Sequence, residues 1–489
     1  TASDHAMFRK YMIDSVMYWA QEYHIDGFRF DLMGLHDVET MNQIRSNLDT
    51  INPDLIMYGE GWNMTSGDGS LYSYPAMANQ TQSAILSSRI SYFNDQFRDA
   101  AKGSVFEATG RGFLQEPGQS NMSGVLVGAM ANTKSGKWKA QTPEQTVTYV
   151  ACHDNFTLYD RLVASMKGEL ADNYSNRYDD LVQMNKMAAA LVYTSQGVPF
   201  VLAGEEFART KYGDHNSYKS SPEINKLDWN RLVDYADLVS YYKGMIRLRE
   251  TYAPFRDATG DVVNNKMSII SPSKLPLGVV AYTINDDTAI WKNVAVMFNS
   301  SDEAQTITLT GKNLPQDWVI LVDADRAGIN SLGEINTGAE ITIPAHTSYV
   351  LADKASYVAS GISSETGTIV VKHTNAYTGE TLKKMIITGD YGKNYITNSD
   401  ANLAIDYDLE SIPNNAEGVF TAGVQNVEYN YIPYTLKAYS TTGDGSKATL
   451  VDSLKVQKYA VGIDVNLSEE QLKIADVNFD GAVNTEDAI

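Results

Sequence analysis

Met7, Phe8, Tyr11, Met12, Ser15, Val16 and Trp19 recur at spacings of three and four, which predicts a helix at the start of the chain. The pattern then changes to period two. From His24 to Met33, Phe28, Phe30 and Leu32 fall on one face of a strand, and Arg29 and Asp31 fall on the other. Helix-like and strand-like stretches alternate downstream: helices over 38–48, 179–195 and 235–249, and strands over 55–60, 90–95, 146–155 and 198–205. This order predicts about five parallel strands wrapped by helices. Both faces of the first strand are then expected to be covered. Burying Arg29 with Asp31 is costly unless they pair or do chemistry. On that stretch alone, a plain ion pair and a functional site stay equally open.

From about residue 262 to 351 the period stays at two. Runs such as 278–282, 294–298 and 341–343, separated by turn clusters, predict a small antiparallel β-domain. After a linker at 360–364, strands over 368–373 and 427–431 frame a second β-module, and a helix-prone tail follows. The expected divisions are therefore 1–255, 256–355, 364–434 and 435–489.

Composition narrows the partners. Across 489 residues, 60 acidic side chains outnumber 39 basic ones, for a net charge of −21. No basic run appears, so nucleic acid and anionic membranes are poor partners, whereas neutral ligands such as sugars are not excluded. No apolar run is long enough to span a membrane. The single cysteine, Cys152, excludes an internal disulfide framework and is read as a small buried hydrophobe. The chain opens without an initiator methionine and stops inside a patterned segment, so it is expected to be a piece of a longer one at both ends.

Strand after strand ends in an acidic or polar cluster, at Asp31, Glu60, Asp95, Asp154 and Glu205. In a (β/α)₈ barrel the active site lies at the C-terminal strand ends, where groups distant in sequence converge. Asp31, Glu60 and Asp154 are candidates for the carboxylates of retaining glycoside hydrolysis, which uses a nucleophile and an acid/base about 5–5.5 Å apart. Arg29 would hold the nucleophile ionised, and neighbouring carboxylates would raise Glu60 so that it keeps its proton. Asp95, Asp99, Glu205 and Glu206 are read as helix caps or ion-pair partners. A metal role for His153 lacks a second histidine at ligand spacing.

Gly27-Phe28-Arg29-Phe30-Asp31, Tyr58-Gly59-Glu60-Gly61-Trp62 and His153-Asp154-Asn155 resemble, in order and interval, three signature regions of the α-amylase superfamily. Residues 31–37, 94–99 and 213–218 resemble its type I pullulanase branch. The resemblance covers about residues 1–350 and implies the C-terminal part of a (β/α)₈ TIM barrel followed by all-β domains. It implies Asp31 as nucleophile, Glu60 as acid/base and Asp154 as transition-state stabiliser. Arg29 and His153 would support the reacting sugar, Trp62 would stack a glucose on the leaving-group side, and Asp214, His215 and Asn216 would contact substrate. The implied activity is hydrolysis of α-1,6 links in pullulan, amylopectin and limit dextrins, with no cofactor for the chemistry. The alternatives are isoamylase-type or α-1,4-cleaving activity, or a non-catalytic starch-binding or scaffold-docking piece. Absent from the chain are the superfamily's first signature region and the Tyr-Asn-Trp-Gly-Tyr-type motif, so it is expected to begin just before the fourth barrel strand, leaving an unpaired edge.

Near the end, Asp476, Asn478, Asp480, Gly481, Asn484 and Asp487 occupy positions 1, 3, 5, 6, 9 and 12 of a calcium loop, with Gly at the sharp turn. Asp at position 12 departs from an EF-hand and resembles a type I dockerin. That resemblance implies calcium in a small helical tail and a cohesin-type scaffold protein as partner. Residues 364–434 resemble a mucin-binding-protein-like surface repeat. Together these imply a secreted or surface-associated bacterial protein.

Overall fold

The computed structural model describes residues 2–64 and 76–362, five strands within 366–440, and Lys458. It divides into two compact units, Thr1–Ile362 and Ser363–Ile489.

In the first unit, α1 (Ala6–Glu22) leads into β1 (Gly27–Phe30), α2 (Val38–Ile51), β2 (Ile56–Gly59), β3 (Ser91–Phe93), α3 (Asp95–Lys102) and α4 (Gln119–Ala129). Then come β4 (Thr146–Thr148), α5 (Leu158–Met166), α6 (Asp179–Thr194), β5 (Val198–Pro199), the short α7 (Pro222–Asn225) and α8 (Arg231–Asp234), and α9 (Ala236–Thr251). The five strands pair in sequence order, β1-β2-β3-β4-β5, and every pairing is parallel. Sequential parallel strands joined by helices are consecutive units of a TIM-barrel-type α/β fold.

Period-two alternation explains the two layers. Phe28, Phe30, Met57 and Tyr92 pack with Val16, Met41, Ile44 and Leu48 of α1 and α2. Their neighbours Tyr58, Phe93 and Val147 point the other way and join Tyr149 and Phe200 in a separate aromatic cluster. The strands are shorter than the sequence predicts. The predicted strand over 146–155 keeps three residues and that over 198–205 keeps two, because the chain leaves the ladder to build the loops that carry the polar groups. Leu32 does not continue the alternation of β1: it adopts a left-handed φ of 44° and lies exposed.

Three further helices, α3, α4 and α5, carry no expectation above. On α4, Gly124 and Gly128 lie so close to α3 that an added Cβ would sit 2.4 Å from the Ala100 Cβ and 2.0 Å from the Phe97 ring. Close helix packing through glycine costs helix propensity, which hides this helix from a sequence reading.

The β-region is antiparallel, as expected. β6 (Met267–Ile269), β7 (Val279–Asn285), β8 (Asn293–Asn299), β10 (Trp318–Val322), β11 (Gly333–Ile335) and β13 (Thr347–Asp353) form one six-stranded sheet. β9 (Gln305–Thr308) pairs with β12 (Glu340–Ile343), and α10 (Lys354–Ala359) closes the unit. One hydrophobic cluster runs from α6 and α9 into β7, β8 and β13, and Tyr282 Oη donates to the Thr194 carbonyl at 3.0 Å. The division at 255/256 is therefore a change of secondary structure within a shared core.

In the second unit, β14 (Thr366–Lys372) pairs with β17 (Asn402–Asp408), and β15 (Met385–Gly389) pairs with β16 (Asn394–Ile396) and β18 (Leu436–Ser440), all antiparallel. The strand expected over 427–431 and the calcium loop at 476–487 lie outside the described residues. Among the described residues no helix is long and apolar enough to cross a membrane.

Candidate active site

The site begins where β1 and β2 end together. Phe30 pairs with Gly59, and an added Cβ on Gly59 would lie 2.6 Å from the Phe30 carbonyl, so the register needs glycine there. Glu60 N donates to the Phe30 carbonyl at 3.1 Å, which extends the ladder one residue and fixes the start of the Glu60 side chain. Arg29 then holds both carboxylates: Nη1 to Asp31 Oδ1 at 2.6 Å and Nη2 to Glu60 Oε1 at 2.8 Å. The Leu32 amide, turned by its left-handed backbone, donates to Glu60 Oε2 at 2.9 Å.

Two expectations change here. Arg29 and Asp31 are not buried together, because Asp31 lies beyond the last residue of β1 and its side chain is 76% exposed. The partners of Glu60 are a guanidinium and an amide, in place of the neighbouring carboxylates that the sequence suggests. Burial pulls the Arg29 guanidinium down, but the bond from Asp31 and the charges of Glu60, Asp31 and Asp154 outweigh it and hold it above its ordinary value. Arg29 thus registers all three candidate carboxylates.

Asp154 follows β4. His153 Nε2 stands 3.6 Å from Asp154 Oδ1, both side chains being more than half exposed, and Asn155 turns the chain with a φ of 64°. The loop after β5 is fastened to this corner. Lys211 Nζ donates to the His153 carbonyl, and the His215 ring packs on Phe156 at 5.4 Å between centroids. Asp214 spends its oxygens within that loop, on the Asn216 amide at 2.9 Å and the Ser220 hydroxyl, and these bonds hold its carboxyl below the usual range. The structure joins Arg29, Asp31 and Glu60 by direct bonds, Asp154 through its charge on Arg29, and His215 through Phe156. Among the described residues no hydrogen bond or ion pair joins Asp214 or Asn216 to the three carboxylates; both sit in the adjoining loop.

Trp62 extends the acid-bearing loop. Gly61 precedes it because an added Cβ would lie 2.1 Å from the Tyr92 ring, and Gly34 because its own would lie 2.1 Å from the Trp62 carbonyl. The indole packs against the cluster of Phe93, Val147 and Tyr149, and the Arg98 guanidinium lies 5.9 Å from its centre. Arg98 stands within the 94–99 stretch but carries no role in the sequence reading.

The other acidic candidates do local work. Asp95 accepts from Gln80, Asp99 pairs with Arg98 and Glu206 accepts from the Gly204 amide. Glu205 is buried and accepts from Tyr242 Oη at 2.8 Å. Cys152 is half-buried, and burial pushes its thiol up. Among the described residues no group of three or more His, Cys, Asp or Glu side chains could hold a metal ion.

A carboxylate open to solvent, a second held on the same arginine, and a third in the loop after β4 suit displacement at a sugar carbon. The family description "Alpha amylase, catalytic domain" matches residues 2–251, just over half of the chain. The chain belongs to the α-amylase family. The description "MucBP domain" matches residues 368–432. Among relatives of this α-amylase-family chain, the pullulanase of Bacillus subtilis (strain 168) is 32% identical over 314 residues, 62% of this chain and 40% of the relative. Pullulanase A of Streptococcus pneumoniae serotype 4 is 28% identical over 309 residues, 55% of this chain and 23% of the relative. Among solved structures, pullulanase from Bacillus acidopullulyticus matches with a TM-score of 0.63 and 34% identity, over 72% of this chain and 41% of that one. A variant of the Paenibacillus barengoltzii pullulanase complexed with maltotetraose matches with a TM-score of 0.62 and 36% identity, over 72% and 51%. The chain spans about half or less of the length of these relatives.

Proposed function

We propose that this chain carries the catalytic carboxylates of a retaining glycoside hydrolase that cleaves α-1,6-glucosidic links in pullulan and related branched glucans. The observation that carries it is the pairing of Arg29 with both Asp31 and Glu60 at the ends of two adjacent parallel strands, in a chain whose relatives are pullulanases. Asp31, exposed and bonded to the Arg29 guanidinium, attacks the anomeric carbon. Glu60 delivers a proton to the leaving oxygen and then takes one from water, and Asp154 stabilises the oxocarbenium-like charge. His153, Asp214, His215 and Asn216 are the proposed sugar contacts, and Trp62 offers an indole face to the leaving sugar.

Product identity separates the α-1,6 activity from its α-1,4 alternative. Pullulan cut at α-1,6 links releases maltotriose, whereas cutting at α-1,4 links releases trisaccharides that keep an α-1,6 bond. Chromatography of the digest against both standards decides, and the second product overturns the α-1,6 assignment.

The MucBP match and the bacterial relatives support a secreted or surface-associated location. For the tail, the oxygen donors of Asp476, Asn478, Asp480, Asn484 and Asp487 suit calcium by number and hardness, and a dockerin-like tail would engage a cohesin-type scaffold protein.

A further inference from the structure

Arg98 is a buried cation whose ion-pair partner, Asp99, is not one of the proposed catalytic carboxylates, and a buried guanidinium is costly unless its surroundings use it. Three elements meet on it. From its own helix α3, Asp99 accepts from Nε at 2.7 Å. From the segment after β4, Tyr149 Oη accepts from Nη1 at 3.0 Å, and the Tyr149 ring centre lies 5.8 Å from the guanidinium carbon. From the loop after β2, the Trp62 ring centre lies at 5.9 Å. Tyr149 is itself wedged against Phe93 at 4.9 Å, and Phe93 against Tyr58 at 5.5 Å and Phe200 at 5.3 Å. Arg98 therefore meets the aromatic cluster at two rings, that of Tyr149 and that of Trp62, the first aromatic residue beyond Glu60.

We propose that Arg98 is a positioning residue for glucan binding: its guanidinium covers one face of the Trp62 indole and so presents the opposite face to the leaving-side glucose. This rests on the proposed function only through the role given to Trp62. A planar guanidinium fills the place in a way that lysine does not, because it lies flat on an aromatic ring while its edge still donates to Asp99 and Tyr149. Asp99 and Tyr149 fix the plane of the group, and the plane fixes the indole. The arrangement couples the acid-bearing loop to the strand whose end carries Asp154, so both sides of the cleft share one anchor.

The test compares Arg98→Met and Arg98→Lys, each with Trp62 intact and with Trp62→Ala, by pullulan kinetics and by acrylamide quenching of tryptophan emission. The contribution of Trp62 is isolated by subtracting the Trp62→Phe chain. Arg98→Met is expected to raise KM about five-fold, the size of a lost cation–π contact, with kcat within about two-fold. It is also expected to increase quenching of Trp62, with Arg98→Lys recovering part of both effects. In the Trp62→Ala background the same substitution leaves KM unmoved. An equal KM change with and without Trp62, or unchanged quenching, overturns the proposal. Should Arg98→Met fail to fold, Tyr149→Phe removes only the 3.0 Å bond and is expected to move KM and quenching in the same direction by less; no movement overturns the proposal. If the unmodified chain hydrolyses nothing, the functional reading fails on its own, and quenching alone then decides for or against Arg98.

Discussion

Arg29 serves Glu60 and Asp31 through separate nitrogens, 2.8 Å from one carboxylate and 2.6 Å from the other. Replacing it by methionine leaves Glu60, whose side chain is only 11% exposed, without its cation and frees Asp31 to turn away. Arg29→Met is expected to lower kcat on pullulan by roughly 10²-fold or more, the usual size of losing one preorganised electrostatic partner. Arg29→Lys retains the charge but not the fork and is expected to recover little of that loss. Steady-state kinetics on both variants check it.

Gly61→Ala tests the packing that delivers Trp62. The new methyl group would meet the Tyr92 ring at 2.1 Å, and that ring is fully buried against Trp138. Overpacking of this kind costs about 1–3 kcal/mol, so the melting temperature is expected to fall by several degrees. The displaced loop should also weaken glucan binding, which titration with maltotetraose measures.

Glu205 gives the fold a pH dependence. Burial pushes its carboxyl up to about 8, against the pull of the Tyr242 hydroxyl and the charge of Lys102. Its folded value lies above its unfolded one, so the folded state binds the extra proton, and the stability it contributes declines as pH rises from about 5 to about 8. Lys102 works the other way: burial pulls it down to about 7, and above that pH its contribution to stability rises. Thermal melts of the Glu205→Gln chain are expected to show a shallower loss between pH 5 and pH 7 than the unmodified chain. Parallel curves would contradict this.

Much of the parallel layer was legible because period-two alternation is a direct consequence of strand geometry. Phe28 and Phe30 do face the helices, and Arg29 does face the opposite side. The antiparallel region was legible for the same reason, from 279–285 and 293–299 in particular. What escaped depended on three-dimensional neighbours. The glycines that hide α4 are explained only by Phe97 and Ala100 on the facing helix, and the exposure of Asp31 follows from a turn at Leu32 that no periodicity signals. The single core shared by the first two expected domains was hidden too, since α6, α9 and the β-sheet interdigitate through residues far apart in sequence. In the candidate site, residue types and their order singled out Asp31, Glu60 and Asp154 as candidates. The pairing of Arg29 with Glu60, and the place of Arg98 between two rings, required coordinates.

The tail offers an independent check. Calorimetric titration of the whole chain with calcium is expected to show a binding event that Asp480→Ala abolishes, since position 5 of the loop supplies an oxygen ligand. An unchanged titration would remove these five residues from the account. Pullulan hydrolysis is expected to persist after chelation, because the proposed chemistry uses carboxylates alone.

The most direct measurement is hydrolysis of pullulan by the unmodified chain beside its Asp31→Asn variant, with the released sugars identified and the anomeric configuration of the first product followed by NMR. Maltotriose with retained α configuration is expected from the unmodified chain and none from the variant, because the glycosyl-enzyme intermediate needs the Asp31 carboxylate. Inverted product, or equal hydrolysis by Asp31→Asn, would contradict it.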